Sequence, residues 1–154
     1  MRITFQTPTY GETFDHLFQV YRIESRSLTK ERQQIYILHM VSLEVFTDQQ
    51  QRVSKSYNGM LISDIVTDLQ GNFLASQFDD IDPTQYMHQV VIPNIHPMDA
   101  IRWLSTRANA KNFPGSNYLY YENKDGYKFV TLEKLVQQVE SVIYHVYPAN
   151  IRIP

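Results

Sequence analysis

The stretch from residue 93 to residue 135 constrains the fold more than any other part of the chain. A helix is predicted to begin at Pro97, because proline is favoured in the first turn of a helix. Apolar residues follow at spacings of three and four, namely Ala100, Ile101, Leu104 and Ala108. Residues 118–122 then have the aromatic composition of a strand, residues 123–126 (NKDG) predict a turn, and residues 127–130 are the partner strand of a hairpin.

A second helix is predicted directly after this hairpin. Thr131 is its expected N-cap, and an apolar stripe follows at helical spacing, formed by Leu132, Leu135, Val136 and Val139. The unit is therefore a helix, a hairpin and a helix in succession, and nothing in it predicts catalysis.

Two long antiparallel strands joined by a polar turn are predicted before this unit, over residues 12–25 and 33–46. A strand with one face in water alternates between apolar and polar side chains, whereas both faces of these strands are partly apolar. In the first strand Phe14, Phe18 and Val20 lie on one face and Leu17, Tyr21 and Ile23 on the other. In the second strand one face carries Ile35, Ile37, Val41, Leu43 and Val45, and the other carries Tyr36, Leu38, Met40 and Phe46. We infer that a core covers one face. The other face is covered by a second subunit, or the strands belong to a closed barrel or sandwich with helices outside.

These elements predict an α+β protein. An antiparallel β region over residues 1–50 precedes a mixed α/β region over residues 51–154, with helices near 60–70, 97–109 and 131–139. The remaining predictions are a strand at 2–6, a polar boundary at 47–55, a helix over 61–69 ended by Gly71, an acidic loop at 75–85, a strand at 86–92, a final strand at 141–147 and a tail at 148–154.

The charge balance limits the classes of partner. The chain has 14 basic and 16 acidic residues and a net charge of -2, whereas a general binder of nucleic acid or of a membrane surface would need a basic excess. No run approaches the roughly 18 apolar residues of a membrane span. We therefore expect neither sequence-specific nucleic acid nor a membrane as partner. Cysteine is absent, which excludes disulfides, thiolate metal sites and cysteine nucleophiles.

Residues suited to chemistry are sparse. Asp79, Asp80 and Asp82 offer oxygen ligands for a hard cation, but the glycine and terminal glutamate of an EF-hand are missing, which favours a solvated loop. The five histidines fall singly, and neither a nucleophile elbow nor a phosphate-binding glycine loop occurs. We predict that the protein is not an enzyme and has no catalytic residue, cofactor or metal site. The rival hypothesis is a degenerate hydrolase in which Glu122 or a histidine acts as base.

Tyrosine is the residue type that points to a protein partner. The chain has 11 tyrosines, and this side chain suits interfaces, where the ring is buried and the hydroxyl stays wet. The predicted interface residues are Tyr21, Tyr36, Trp103, Tyr120 and Tyr127. An alternative function is a small monomeric binding module that holds a peptide or ligand on a tyrosine-rich surface.

Several blocks of sequence, taken in order, resemble those of baseplate (tail) hub proteins of T4-like contractile-tailed bacteriophages. The blocks are YRIESR at 21–26, YILHMVS at 36–42, RVSKSY at 52–57, SDIV at 63–66, VIPN at 91–94, PMDAIRWL at 97–104 and NYLYYENKDGYKF at 117–129. The helix followed by an aromatic strand that ends in glutamate is also similar to the corresponding part of type VI secretion spike proteins.

This resemblance implies a structural protein of the virion. Hubs of this family form a trimeric ring of tube-like β-barrels with smaller α/β domains, and the ring joins the central spike to the tail tube. By resemblance, residues 12–46 match part of a tube-like barrel, and residues 59–139 match the α/β insertion. Family hubs are more than twice as long, so we expect a fragment, one piece of a split hub or a reduced homologue.

The resemblance also implies partners and a location. The expected partners are other baseplate and tail proteins, namely the central spike, the tail tube and the tape measure. Further copies of the chain are expected as well, in a homo-oligomer for which a trimer is favoured. The expected location is the tail baseplate of the virion, after assembly in the host cytoplasm.

Overall fold

Helices separate groups of one to three strands along the chain, and the predicted α+β class is confirmed. The computed structural model describes residues 1–6, 13–28 and 34–138. In chain order the elements are β1 (Arg2–Gln6), β2 (Thr13–Leu28), β3 (Gln34–Ser42), α1 (Leu43–Gln50), β4 (Val53–Leu61), α2 (Ile62–Phe73), β5 (Phe78–Ile81), β6 (Met87–Ile95), α3 (Pro97–Ser105), β7 (Tyr118–Asn123), β8 (Gly126–Thr131) and α4 (Leu132–Val136).

The strands of this part of the chain form three open sheets. β1, β2 and β3 make an antiparallel sheet in that order, and β4 pairs antiparallel with β6. In the third sheet β8 lies between β5, which is parallel to it, and β7, which is antiparallel to it. None of these three sheets closes on itself, so the closed barrel considered from the sequence is wrong for the described residues.

The hydrophobic core is built by the elements from β4 to β8. The apolar spacing predicted for α2 is confirmed, because its four periodic side chains, Ile62, Ile65, Val66 and Leu69, are fully buried. The same holds in α3 for Ala100, Ile101 and Leu104. Among the described residues every buried apolar side chain lies between Val53 and Val130. No described side chain of β1, β2 or β3 therefore belongs to the apolar core.

The predicted hairpin is confirmed as β7 and β8, and its turn has a clear local cause. The Asn123 Oδ1 atom accepts hydrogen bonds from the backbone N–H groups of Asp125, at 3.0 Å, and Gly126, at 3.2 Å. Gly126 has a φ of +137°, which glycine adopts without the strain that a side chain would add.

The predicted N-cap of the last helix is confirmed. The Thr131 hydroxyl accepts the backbone N–H of Lys134 at 3.3 Å, and α4 ends at Val136. Val139, the predicted strand at 141–147, the tail at 148–154 and most of the polar turn after β2 lie outside the described residues.

The second long strand is shorter than predicted. β3 ends at Ser42, and Leu43, Val45 and Phe46 belong to helix α1 instead of continuing the strand. Long-range contacts explain this difference, because the end of α1 is fixed to α3. The Asp48 carboxylate, which is only 4% exposed, accepts the backbone N–H of Met98 at 2.8 Å. Such a contact leaves no signal in the local pattern of residues 43–50.

The polar boundary predicted at residues 47–55 contains the start of a strand. β4 begins at Val53, and its outward residues are polar, whereas Val53 and Tyr57 point to the core. Ser54 and Ser56 lower the apolar content that sequence analysis uses to recognise a strand. The two buried residues at the start of β4, Val53 and Tyr57, stand four apart with three exposed residues between them, so this segment lacks the alternation that predicts a strand.

Helix α2 is longer than predicted and helix α3 is shorter. α2 continues through Gly71 to Phe73, where Phe73 packs against the core. α3 ends at Ser105, and the hydroxyl of Thr106 donates to the carbonyl of Trp103 at 2.9 Å, which satisfies one of the last acceptors of the helix. Ala108 is buried as expected, but it lies after the helix.

The acidic loop predicted at residues 75–85 includes a strand, β5. Its carboxylates are paired rather than solvated. Lys128 Nζ lies 2.5 Å from Asp79, and Lys134 Nζ lies 2.7 Å from Asp80 and 2.8 Å from Asp82. Both lysines come from the chain after residue 126, so the pattern of residues 75–85 alone does not contain these partners.

Candidate interaction surface

An aromatic row covers one face where β1 and β2 pair. Phe5 lies directly opposite Phe14, and their ring centroids are 4.7 Å apart with the planes 29° from parallel. The row continues along β2, because the Phe14 and His16 rings are 4.8 Å apart and the His16 and Phe18 rings are 6.0 Å apart. Successive rings on one face of a sheet stabilise the pairing of these strands.

Beyond Phe18, β3 is the one described strand that pairs with β2. The last contact with the amino terminus is the Phe18 N–H, which donates to the carbonyl of Met1 at 2.8 Å. We call the two-stranded part that follows the arm, residues 19–28 and 34–41. At a rise of about 3.3 Å per residue, it extends on the order of 30 Å.

A β-bulge in the arm changes which side chains share a face. Val20 lies opposite Met40, but Arg22 lies opposite His39 and Ile23 opposite Leu38, so one extra residue is inserted in β2. Residues directly opposite each other in a sheet share a face. Ile23 therefore lies on the face of Leu38 and Met40, and the predicted grouping of Ile23 with Leu17 is wrong.

Large apolar side chains of the arm are exposed on both of its faces. The most exposed are Tyr21 at 62%, Ile23 at 63%, Ile35 at 57%, Tyr36 at 52% and Ile37 at 51%. The Tyr21 ring lies 6.0 Å from that of His39. Ile35, Ile37 and His39 stand at every second position of β3 and point to one face, so Tyr21 shares a face with both isoleucines. Ile23 and Tyr36 belong to the opposite face.

The described charges of this sheet compensate each other. Glu24 pairs with Arg22, and its Oε2 lies 2.9 Å from the Nε2 atom of His39. At the base of the sheet the Arg2 guanidinium donates to the Asp15 carboxylate, and this hydrogen bond lowers the pKa of Asp15 to about 2. The described part of the arm is therefore an apolar surface rather than a charged one.

A pocket of about 250 Å³ opens at the base of the arm. Its polar lining comes from the first sheet, α1, the loop after α2, and the β7–β8 hairpin: His16, Ser42, Glu44, Ser76, Gln77, Glu122 and Tyr127. The hydroxyls of Ser42 and Tyr127 are 3.3 Å apart, and the His16 Nε2–H donates to the carbonyl of Lys124 at 2.7 Å.

The two glutamates that line this pocket affect the pKa of the Tyr127 hydroxyl. Burial is the main cause that raises the pKa of Tyr127; the hydrogen bond with Ser42 opposes it, and the negative charges of Glu122 and Glu44 add to it. Glu122 and one histidine of the hydrolase hypothesis, His16, thus line the same pocket.

The five predicted interface residues do not form one surface. Tyr21 and Tyr36 are exposed on opposite faces of the arm, whereas Trp103 is half-buried with the Arg107 guanidinium 4.1 Å above its ring. The rings of Tyr120 and Tyr127 stack at 5.7 Å, and Tyr127 is only 5% exposed. The roles of these five residues in an interface stay predictions.

Three residues of the arm surface, Ile23, Ile35 and Ile37, were not among the predicted interface residues. The signal that identifies them was the lack of alternation in the two long strands. Of the five large exposed side chains of the arm, two are the predicted tyrosines, Tyr21 and Tyr36, and three are isoleucines.

Comparison with known proteins does not assign the chain to a family. No family model, no curated protein and no solved structure matches it. Within the described ranges no cluster of three or more histidine, aspartate or glutamate side chains is arranged to hold a metal ion. No helix in those ranges has the length and apolar character needed to cross a membrane. The fold and surface define an α+β protein with an exposed apolar β-arm.

Proposed function

We propose that this protein is a structural component of a phage tail baseplate hub that assembles by burying its arm against neighbouring subunits. The observation that carries the proposal is the arm, a two-stranded ribbon with five large apolar side chains that are each more than half exposed. The sequence blocks that resemble hub proteins, taken in order, are the reason for proposing a tail baseplate hub as the assembly.

The physical argument starts from the stability of the arm itself. An isolated two-stranded hairpin is only marginally stable in water, and three strands or a packed face are needed for independent stability. No described side chain of the arm enters the core. Exposed apolar patches on a folded protein mark interaction sites. Among the described strands β3 lies at the edge of its sheet, where its backbone groups are available to a further strand. A neighbouring subunit supplies the missing cover.

The size of the exposed surface favours several contacts over one. Full burial of a large apolar side chain contributes about 1.5–3 kcal/mol, so burying the exposed halves of five such chains contributes on the order of 5 kcal/mol. Association costs about 4–15 kcal/mol in lost translational and rotational freedom. One arm contact therefore barely offsets the lower end of this cost. A closed homo-oligomer has more arm contacts than association steps, so it offsets this cost better than a single contact does. The trimer is favoured among closed oligomers because the hub proteins that the sequence resembles form trimeric rings.

The proposal is tested by the mass of the purified protein in solution, measured by light scattering behind a sizing column. We expect a trimer or a larger closed oligomer for the wild-type chain. Ile23→Thr and Ile37→Thr change one residue on each face of the arm and keep a β-branched side chain. We expect both variants to shift toward the monomer while the fold, followed by circular dichroism, is retained.

Val91→Thr is the matched control, because Val91 is 67% exposed on β6, outside the arm. Its mass should equal that of the wild-type protein. A well-behaved wild-type monomer at the highest concentration tested would contradict the proposal, and so would a Val91→Thr variant that dissociates as readily as the arm variants.

A further inference from the structure

We infer that residues 141–147 of a neighbouring subunit pair with the edge of β3 and add a fourth strand to the first sheet. The inference rests on the proposed assembly function, because a neighbouring subunit donates the strand. It deepens that function by naming the segment that binds. It also concerns backbone pairing at the edge of the arm, which substitutions on the two faces of the arm do not test.

The edge of β3 differs from the other strand edges in the described part of the chain. The edge strands of the three sheets are β1, β3, β4, β5, β6 and β7. Proteins protect such edges from pairing with another chain by charged side chains or proline. The protecting residues here are Arg2 in β1, Lys55 in β4, Asp79 and Asp80 in β5, Pro93 in β6 and Glu122 in β7. β3, with the sequence QIYILHMVS, has neither a charged residue nor a proline, so its edge is suited to a further strand.

The two faces of β3 define the composition of a strand that fits its edge. Side chains alternate along β3, with Ile35, Ile37, His39 and Val41 on one face and Tyr36, Leu38 and Met40 on the other. An added strand continues both faces, so its own side chains lie beside these apolar ones on each face. The matching strand is therefore apolar on both faces and has no charged residue.

Residues 141–147, with the sequence SVIYHVY, have this composition and lie outside the described residues. The segment has no charged residue, glycine or proline. Its alternating positions are Val142, Tyr144 and Val146 on one side and Ile143, His145 and Tyr147 on the other.

The remaining segments outside the described residues do not match. Residues 7–12 contain a proline and a glycine, residues 29–33 contain three charged residues, and residues 148–154 contain two prolines and an arginine. Proline removes a backbone donor from a strand, and charged side chains protect an edge against pairing. This comparison selects residues 141–147 as the strand that β3 receives.

The position of β8 favours a neighbouring subunit as the donor. β3 and β8 meet where the hydroxyls of Ser42 and Tyr127 are 3.3 Å apart. From this contact β8 continues for four residues to Thr131, about 13 Å, and β3 extends for five residues to the exposed Ile37, about 17 Å. A path along both strands is thus about 30 Å long.

The chain after α4 is short for this path. Six residue steps lead from Gln138, the last described residue, to Tyr144 in the middle of the segment, and they span at most about 20 Å. The donated segment and the edge that receives it are also different parts of the chain, so the contact is head-to-tail. Head-to-tail contacts can close into rings, in agreement with the proposed closed oligomer.

The test is cross-linking between two single-cysteine variants of the full chain, which has no cysteine of its own. Leu38→Cys lies in the middle of β3, and Tyr144→Cys lies in the middle of the segment. The variants, one of them ¹⁵N-labelled, are refolded together and treated with a short bismaleimide. We expect covalent heterodimers, identified by mass spectrometry. Ser54→Cys, exposed on β4, is the control in place of Leu38→Cys and should give no heterodimer with Tyr144→Cys.

Proline variants measure the backbone pairing. Tyr144→Pro removes a backbone N–H in the middle of the segment. We expect amide hydrogen exchange in residues 34–42 to become about tenfold faster, as for the loss of a backbone hydrogen bond, and the oligomer to shift toward the monomer. Asn150→Pro, placed in the tail after the segment, is the matched control and should behave as the wild-type protein does.

The inference is overturned if no heterodimer forms or if the two proline variants exchange alike. It is also overturned if Leu38→Cys chains cross-link with one another, which would show that two β3 strands pair. A cross-link that forms only when Leu38→Cys and Tyr144→Cys are in the same chain would place the segment on its own arm and refute donation by a neighbour.

Failure of the inference and failure of the assembly function give different results. Closed oligomers that dissociate in the arm variants but form no heterodimer would refute strand donation and leave the assembly function intact. Heterodimers from an oligomer that Ile23→Thr and Ile37→Thr leave unchanged would support strand donation and refute assembly through the faces of the arm.

Discussion

The contact between Asp48 and the start of α3 gives a sharp prediction about stability. The carboxylate is 4% exposed, and it accepts the N–H of Met98, one of the N-terminal donors of α3 that have no partner within the helix. Asp48→Ala leaves this N–H without its acceptor. A hydrogen bond to a charged group contributes about 1.5–3 kcal/mol, and an N-cap about 0.5–2 kcal/mol. Because both figures describe the same bond, we expect a loss of about 2–3 kcal/mol in the free energy of unfolding.

Asp48→Asn separates the hydrogen bond from the charge. The amide oxygen of asparagine can still accept the Met98 N–H, so only the attraction of the carboxylate to the helix N-terminus is lost, about 1 kcal/mol. The measurement is urea unfolding followed by the fluorescence of Trp103, which lies in α3 and is the one tryptophan of the chain. In thermal unfolding, Asp48→Ala should lower Tm by about 5–10 °C for a chain of this size.

Asp64→Ala serves as the control, because Asp64 lies in the first turn of α2 but is exposed. Its removal should cost less than about 1 kcal/mol. The reasoning would be refuted if Asp48→Ala cost no more than this control, or if Asp48→Asn destabilised the protein as much as Asp48→Ala.

Two further predictions concern the glycines and the Arg2–Asp15 pair. Gly71→Ala should raise the free energy of unfolding by about 0.5–1 kcal/mol, because Gly71 lies inside α2 and the added Cβ has open space around it. Gly126→Ala should lower the free energy of unfolding by about 1–3 kcal/mol, because the φ of Gly126 is +137° and the added Cβ would lie 3.3 Å from the Cβ of Asp79. Urea unfolding measures both, and the opposite order would contradict the turn geometry. Arg2→Gln should raise the pKa of Asp15 from about 2 toward 3.8, as measured by NMR titration of its carboxyl carbon. In the wild-type protein the stabilisation from this pair is complete above pH 3.8 and is lost as the pH falls through about 2. If the titration midpoint of Asp15 is the same in the Arg2→Gln variant, Arg2 is not the cause of the lowered pKa.

Local signals were sufficient where a segment carries its own hydrogen-bond partners. The turn at Asn123 and the cap at Thr131 were predicted from sequence, because the stabilising groups lie within three residues of each other. The helix start at Pro97 was predicted because the ring of proline fixes a φ that suits the first turn of a helix. The buried stripes of α2 and α3 followed from spacing alone.

Features fixed by distant contacts were missed. Helix α1 depends on the bond from Asp48 to Met98, 50 residues away, and β5 depends on pairing with β8 and on lysines that follow it by about as many residues. The bulge that moves Ile23 to the other face inserts one residue into β2, and the sequence of β2 has no glycine or proline there to mark it. The pocket combines four segments far apart in the chain, so no single motif predicts it.

The separation of the arm from the core has a consequence for how the sequence can change. No described residue of the first sheet before Ser42 is buried, and the buried apolar side chains in the described part of the chain all lie from Val53 onward. Substitutions at sites that share no contacts add independently, so a new side chain at Ile23 or Tyr36 alters the fit to a neighbour with little effect on the folding of the body. Specificity for a partner can therefore drift, or be redesigned, at almost no cost to the stability of the scaffold that carries it.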